Sequence, residues 1–337
     1  MTLKSLVDNM LPAIEMELQR VVARLDDPPT RPFQEMLTYH MGWSGKSAGQ
    51  AATGKRIRPL LILLTCAACG SEWQRALPAA ACIELIHNFS LVHDDIQDGS
   101  ELRRGRYTVW KKWGMPQGIN VGDALFILAH LVLLETRNAY PAEIVLQIGE
   151  IVDEACLGLS TGQFLDISYE EMATLSIEDY WRMVSGKTAA LLSACTQAGA
   201  ALGGADKPVQ DIYRNFGHYL GLAFQVQDDY LGIWGNSALT GKSTESDLVA
   251  GKKTLPVLYG LTKKGPFARR WAEGPIEAKE AGPLSEQLAV EGARLHTQEV
   301  ADQMTDLALD SLRTANPQGA AGDALFELTN MLLNRQA

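Results

Sequence analysis

An all-α fold is predicted by three features of the sequence. Its apolar segments are long and rich in Ala and Leu, with few interior prolines. No apolar/polar alternation is sustained enough to build a sheet. The Gly-, Pro- and Ser-rich stretches fall between the apolar segments rather than within them.

The segments follow one another in that pattern. "MLPAIEMELQRVVARL" is an amphipathic helix closed by "DDPPTRP". After the Gly-rich "GWSGKSAGQAATG" come "PLLILLTCAACG" and "ALPAAACIELIHNFSLVHDDI". "WGMPQG" separates these from "GDALFILAHLVLLETR" and "AEIVLQIGEIVDEACLGLSTGQFLDI". "IEDYWRMVSGKTAALLSACTQAGAALGG" runs to the break "GGADKP", and "DIYRNFGHYLGLAFQVQDDYLGI" to "GNSALTGKSTES". No fixed-period repeat and no flexible linker divides the chain, so residues 1–337 read as a single domain.

Composition narrows the function. Of 337 residues 46% are hydrophobic and 21% charged, an ordinary composition for a chain with a sizeable core. A net charge of -10 argues against general nucleic-acid affinity, though not against a local basic pocket for a small anion. The N-terminal segment does not resemble a signal peptide, and "PLLILLTCAACG", the longest apolar run, is too short to span a bilayer, so a cytoplasmic location without a membrane span is expected. Cys66 and Cys69 form an isolated C-x-x-C within an apolar run and read as small core residues.

Three stretches carry chemistry. In "HNFSLVHDDIQDGSELRRGR", His87, Asp94 and Asp98 fall within about 40° on one helix face. Asp95 adds a third charge, and Arg103, Arg104 and Arg106 follow. A solvated acidic face is the ordinary explanation for three acids, but the apolar turn before them and the cations after them favour a site. Such oxygen clusters suit Mg2+, which takes one or two carboxylates plus waters and substrate phosphates. "FQVQDDYLGIWG" places Asp228 and Asp229 in apolar surroundings, where burying them needs compensation, and a shared metal cluster would supply it. The third group is cationic: Lys55, Arg56 and Arg58 in "GKRIRP", Lys187 and Thr188 in "SGKTAAL", and Lys242, Lys252 and Lys253 in "TGKSTESDLVAGKKTLP". Arg forks and Lys point charges are what a diphosphate needs, and no P-loop is present.

These motifs, in this order, closely resemble the trans-isoprenyl diphosphate synthases of the polyprenyl synthetase family. The resemblance covers nearly the whole chain. It implies an isoprenoid-synthase-type helical bundle around a deep central cavity, usually homodimeric. It assigns Asp94, Asp98 and Asp228 to three Mg2+ ions on an allylic diphosphate, supported by Asp95, Asp229 and Asp247. Arg103, Lys187 and Lys242 would grip that diphosphate, with Lys252 nearby. Lys55, Arg58, His87 and Arg104 would bind isopentenyl diphosphate, and Thr188, Gln225 and Gln163 would line the reaction centre. The implied reaction is ionisation of the allylic substrate, condensation with isopentenyl diphosphate and loss of a proton.

Product length in the family depends on the residues before the first motif. Here these are Phe89 and Ser90, one large and one small, which resembles synthases of geranylgeranyl diphosphate (C20) rather than farnesyl diphosphate (C15). The second motif departs from the family pattern DDxxD, because Gly232 stands where its last Asp is expected. That puts metal affinity in doubt and suggests that the helix ends or loosens at Gly232. The rival readings are a silent regulatory subunit and a terpene cyclase. The retained Asp94, Asp98, Arg103 and Arg104 oppose the first, and "GKRIRP", His87 and "RRG" the second.

Overall fold

The first helix, α1 (Leu3–Val22), shows why these segments fold as they do. Leu3, Leu6, Met10, Ile14 and Leu18 recur every three or four residues and are buried. The Thr2 side chain accepts a hydrogen bond from the Ser5 N–H at 3.3 Å and caps the start. The computed structural model describes residues 2–172, 174–235 and 246–333. It continues with α2 (Arg31–His40), α3 (Ile57–Ala68), α4 (Leu77–Gln97), α5 (Met115–Leu133), α6 (Ala142–Glu171), α7 (Ile177–Val184), α8 (Ala190–Leu202) and α9 (Lys207–Trp234). Then follow α10 (Leu255–Thr262), α11 (Ala278–Val290), α12 (Ala293–Ala315) and α13 (Gly319–Leu333). Among the described residues the sheet is limited to one two-residue ribbon, β1 (Leu102–Arg103) with β2 (Arg106–Tyr107). The protein is all-α, as its sequence predicts.

The chain divides into two compact units. The first comprises Met1–Asp153, Cys195–Gln210 and Pro317–Leu325, the second Glu154–Ala194, Asp211–Asn316 and Phe326–Ala337. In the first unit α3 is almost wholly buried, and Cys66 lies in it as a core residue. At the N-cap of α3, Arg56 takes a left-handed conformation at φ 48°. Its buried guanidinium bonds Glu15 Oε1 at 2.7 Å and Glu84 Oε1 at 2.8 Å. Asn88 donates to the same Glu84 oxygen at 3.0 Å. The stretch Met115–Asn138, which contains α5, is long and apolar enough to cross a bilayer by length and composition, with a mean hydropathy of 1.6. Asp123 and His130 interrupt it, which is why unbroken apolar runs did not reveal it. Of its most apolar window, 44% is buried within the protein.

In the second unit, α7 begins with a reciprocal cap between Ser176 and Asp179. Tyr180, Val184, Leu222, Val226, Leu255 and Leu258 form one apolar cluster. Ile233, Leu248, Val257, Phe267 and Leu288 form another. The second cluster explains a departure from expectation. Helix α9 does not end at Gly232 but continues to Trp234. Ile233 is locked in the cluster, and Trp234 Nε1 donates to the Ser285 carbonyl at 3.2 Å. That packing outweighs the roughly 1 kcal/mol that a helical glycine costs relative to alanine.

Candidate active site

The first unit carries an acidic cluster at the C-terminal end of α4. Asp94 is half-buried, Asp95 buried, and Asp98 exposed at the C-cap, where its N–H bonds the Asp94 carbonyl at 2.9 Å. The ribbon then turns back on the helix through Arg104 and Gly105, both with positive φ (52° and 72°). Two successive left-handed residues make the tight hairpin turn that matches strand twist. This turn gives the three arginines of "RRGR" different tasks. Arg103 donates from Nη2 to Asp94 Oδ2 at 2.9 Å and from Nε to Asp95 Oδ1 at 2.7 Å. Arg104 donates to the Ala52 carbonyl at 2.7 Å. Arg106 binds the Tyr39 and Ser44 carbonyls and lies over the Tyr39 ring, so it anchors the ribbon. Burial pushes the Asp95 carboxyl up to about 6, against the pull of Arg103.

Behind this cluster, Arg58 and His87 form a pair, with Arg58 Nη1 3.2 Å from His87 Nε2. Burial drives the imidazole pKa well below its ordinary value, and the Arg58 charge adds to this. Since arginine only donates, the neutral ring accepts at Nε2 and carries its proton on Nδ1. Among the described residues, buried Arg58 Nε has no hydrogen-bond partner. A buried guanidinium with unused donor capacity suits an anion. Lys55, three residues earlier, is exposed. Phe89 packs against Phe126 with ring centroids 5.0 Å apart and against His93 at 5.2 Å. The Ser90 hydroxyl turns back to the His87 carbonyl at 2.8 Å.

The second unit carries Asp228, half-buried, and Asp229, buried. Asp229 is held by three donors: Tyr180 Oη at 2.7 Å, the Leu255 N–H at 3.0 Å and Gln225 Nε2 at 2.9 Å. Burial still pushes its pKa up to about 7, and the charge of Asp247 acts in the same direction. Thr188 Oγ1 donates to Gln225 Oε1 at 2.8 Å, which extends the chain of bonds to the "SGKT" segment. That segment is a single π-helical turn, Ser185–Ala189, between α7 and α8, and such turns recur at functional sites. Gly162 and Gly186 let its backbone press against α6, since a Cβ on Gly162 would lie 2.1 Å from the Lys187 nitrogen. One turn further along α6, Asp166 takes an ion pair from Lys187. Gln163 lies beside it on α6, half-buried. Lys253 caps the end of α6 through the Tyr169 and Glu170 carbonyls, whereas Lys252 is exposed. Lys242 lies outside the described residues.

The structure brings together, within their units, Asp94 with Asp95 and Arg103, Arg58 with His87, and Thr188 with Gln225 and Asp229. Sequence reasoning missed Tyr180, Asp166 and Phe126. Asp166 was within reach, since it lies in "GQFLDI", but Tyr180 and Phe126 carry no spacing signal.

Hard carboxylate oxygens at Asp94, Asp98 and Asp228 fit Mg2+. Among the described residues no group of three or more His, Cys, Asp or Glu side chains converges on one point.

The fold and these charge clusters define a helical synthase of the isoprenoid type, and comparison with known proteins agrees. The family model for polyprenyl synthetase matches residues 46–282. A (2E,6E)-farnesyl diphosphate synthase of Mycobacterium bovis is 36% identical over 331 residues, covering 95% of this chain and 90% of the relative. A geranylgeranyl diphosphate synthase of Mycobacterium tuberculosis is 35% identical over 323 residues, covering 94% and 90%. The crystal structure of a polyprenyl synthetase from Streptomyces coelicolor A3(2) superposes with a TM-score of 0.88 at 34% identity, covering 98% of this chain and 99% of that one. The chain belongs to the polyprenyl synthetase family, among the short-chain trans-isoprenyl diphosphate synthases.

Proposed function

We propose that the protein condenses isopentenyl diphosphate with dimethylallyl, geranyl and farnesyl diphosphates and releases geranylgeranyl diphosphate as its main product. The observation that carries this reading is the Arg58–His87 pair, whose guanidinium keeps a buried donor, Nε, without a hydrogen-bond partner among the described residues. A second diphosphate needs such a site, and a cyclase acting on one diphosphate does not. Asp94, Asp98 and Asp228 serve as ligands for three Mg2+ ions, which when bound neutralise charge building on the leaving diphosphate. Arg103, Lys187, Lys242 and Lys252 hold the allylic diphosphate, and Arg103 and Lys187 exchange their carboxylate partners for phosphate oxygens. Lys55, Arg58, His87 and Arg104 orient isopentenyl diphosphate through its phosphates. Thr188, Gln225 and Gln163 place polar groups beside apolar walls that keep water from the allylic cation.

Phe89, backed by Phe126, sets the C20 limit, with small Ser90 leaving room beside it. Incubation with Mg2+, isopentenyl diphosphate and each allylic primer, followed by product sizing, tests the reading. C20 is expected; a product stopping at C15 overturns the chain length alone, and no elongation from any primer overturns the synthase reading. Phe89→Ala is expected to shift products beyond C20, and an unchanged distribution would remove Phe89 from the floor.

The protein is also inferred to be a homodimer, because Met115, Ile119, Ile127, Leu131 and Leu134 are exposed along one apolar helical stretch. Light scattering without detergent should give twice the chain mass of 36.8 kDa. A monomer, or a protein soluble only in detergent, contradicts this.

A further inference from the structure

Helices α4 and α5 meet along a seam whose rungs run in opposite directions through the chain. Ile96 lies over Gly118, His93 over Gly122, and Phe89 against Phe126. We propose that His93 is a positioning residue for product length, keyed into a notch in α5 at Gly122 so that its ring holds Phe89 in place. The proposal rests on the reading of Phe89 as the floor given above.

A Cβ built on Gly122 would overlap His93 Nε2 and Cδ2 and lie 3.1 Å from Cε1. The imidazole therefore fills the space in which a side chain at 122 would begin. Glycine weakens a helix interior, so its place at a buried position of α5 is explained by what it admits. The ring is also held by a polar contact. His93 Nε2 lies 3.3 Å from the Ile119 carbonyl, and since a carbonyl only accepts, Nε2 carries the proton. Asp123 Oδ1 lies 3.7 Å from the same nitrogen. Phe89 meets this fixed ring edge to face, with centroids 5.2 Å apart and planes at 78°, the arrangement that aromatic pairs favour.

Phe126, the other ring on Phe89, has its own brace. His130 packs on it with centroids 4.5 Å apart, and His130 Nε2 is hydrogen-bonded to Asp153 Oδ1 at 2.9 Å. Phe126 is thus steadied within α5 and α6, whereas Phe89 on α4 leans on His93, one turn along its own helix. Gly118 provides a contrast. A Cβ there would meet Ile96 Cδ1 at 2.8 Å and Trp110 Cβ at 3.1 Å, a close approach of the same two helices one rung further from Phe89.

The test is product sizing from the full-length protein with Mg2+, isopentenyl diphosphate and dimethylallyl diphosphate. It reads the ratio of longer products to the wild-type main product, which does not depend on how much of the protein is active. His93→Ala takes the ring from Phe89 and is expected to raise that ratio about 2- to 10-fold, the worth of one aromatic contact. Gly122→Ala should raise it comparably, because the methyl group displaces the imidazole from the notch. His93→Gln keeps a donor for the Ile119 carbonyl without the ring, and should behave as His93→Ala does. Gly118→Ala disturbs the same helices and should leave the ratio at its wild-type value, even where the protein melts earlier. In a Phe89→Ala background His93→Ala should add nothing, since the ring it holds is gone. A wild-type ratio in His93→Ala or in folded Gly122→Ala, an equal shift in Gly118→Ala, or a further shift on top of Phe89→Ala would each overturn the proposal. His93→Ala adds no bulk to the seam, so it carries the test even if Gly122→Ala does not fold. Failure of the functional reading looks different: no elongation from any primer, or wild-type products from Phe89→Ala, which places the floor elsewhere and takes the role of His93 with it.

Discussion

Asp94→Ala is expected to lower kcat by about three orders of magnitude at saturating Mg2+ and substrate, with the fold intact. The variant loses a carboxylate proposed to hold a metal ion on the leaving diphosphate. Groups that stabilise developing negative charge in a water-poor site are each worth about 10²- to 10³-fold in rate. It also loses the Arg103 Nη2 contact to Asp94 Oδ2, while Arg103 Nε keeps its bond to buried Asp95. The guanidinium therefore stays at the end of α4, and the loss falls on chemistry rather than on the position of the ribbon. Asp94 is only half-buried, so its removal leaves no large cavity. Single-turnover rates with dimethylallyl and isopentenyl diphosphates, paired with a melting curve, separate the two effects. A loss of less than tenfold in kcat would remove Asp94 from the group that drives ionisation.

The fold and both acidic clusters were legible in the sequence because their signals are local. Helices α4 and α9 are marked by residues a few positions apart, and "DDIQD" and "FQVQDD" can be read within a single helical turn or two. What was not legible depends on distant partners. "GKRIRP" offers three cations that look alike in sequence, yet Arg56 is committed to Glu15 and Glu84, 41 and 28 residues away. Arg58 meets His87 and keeps a donor in reserve. The same sorting separates Arg103, Arg104 and Arg106, where the left-handed turn at Arg104 and Gly105 decides which way each side chain goes. Asp229 appeared from its neighbour to be a metal-supporting acid. The structure adds a positioning task, since its oxygens tie α7, α9 and the start of α10 together through Tyr180, Gln225 and Leu255. At Gly232 the sequence shows only a missing carboxylate, whereas the side chain that a Cβ there would meet, that of Asp247, comes from fifteen positions later.

The division of labour within "GKRIRP" leads to the largest expected effect on stability. Arg56→Met should cost about 3–5 kcal/mol in unfolding free energy, the range for breaking a buried ion pair by removing one partner. The Arg56 side chain is 1% exposed and that of Glu84 4%, so water cannot replace the lost bond. Burial works against the guanidinium charge, but Glu84 and Glu15 outweigh it and hold its pKa above the ordinary arginine value. Methionine fills much of the volume, so the loss comes from a stranded carboxylate rather than from a cavity. Glu84→Leu in the Arg56→Met background should therefore return part of the loss, because it removes the uncompensated charge. Glu15, with 25% of its side chain exposed and a bond from Trp43 Nε1, can stay solvated and needs no second change. Urea unfolding of the three proteins measures this, and a loss below about 1 kcal/mol in Arg56→Met would mean that the pair is not a stabilising anchor. The variant also carries a functional signature. Arg56 fixes the backbone between Lys55 and Arg58, so its removal should raise KM for isopentenyl diphosphate more than KM for the allylic primer. Equal changes in both constants would place the effect in global softening rather than in the segment that Arg56 holds.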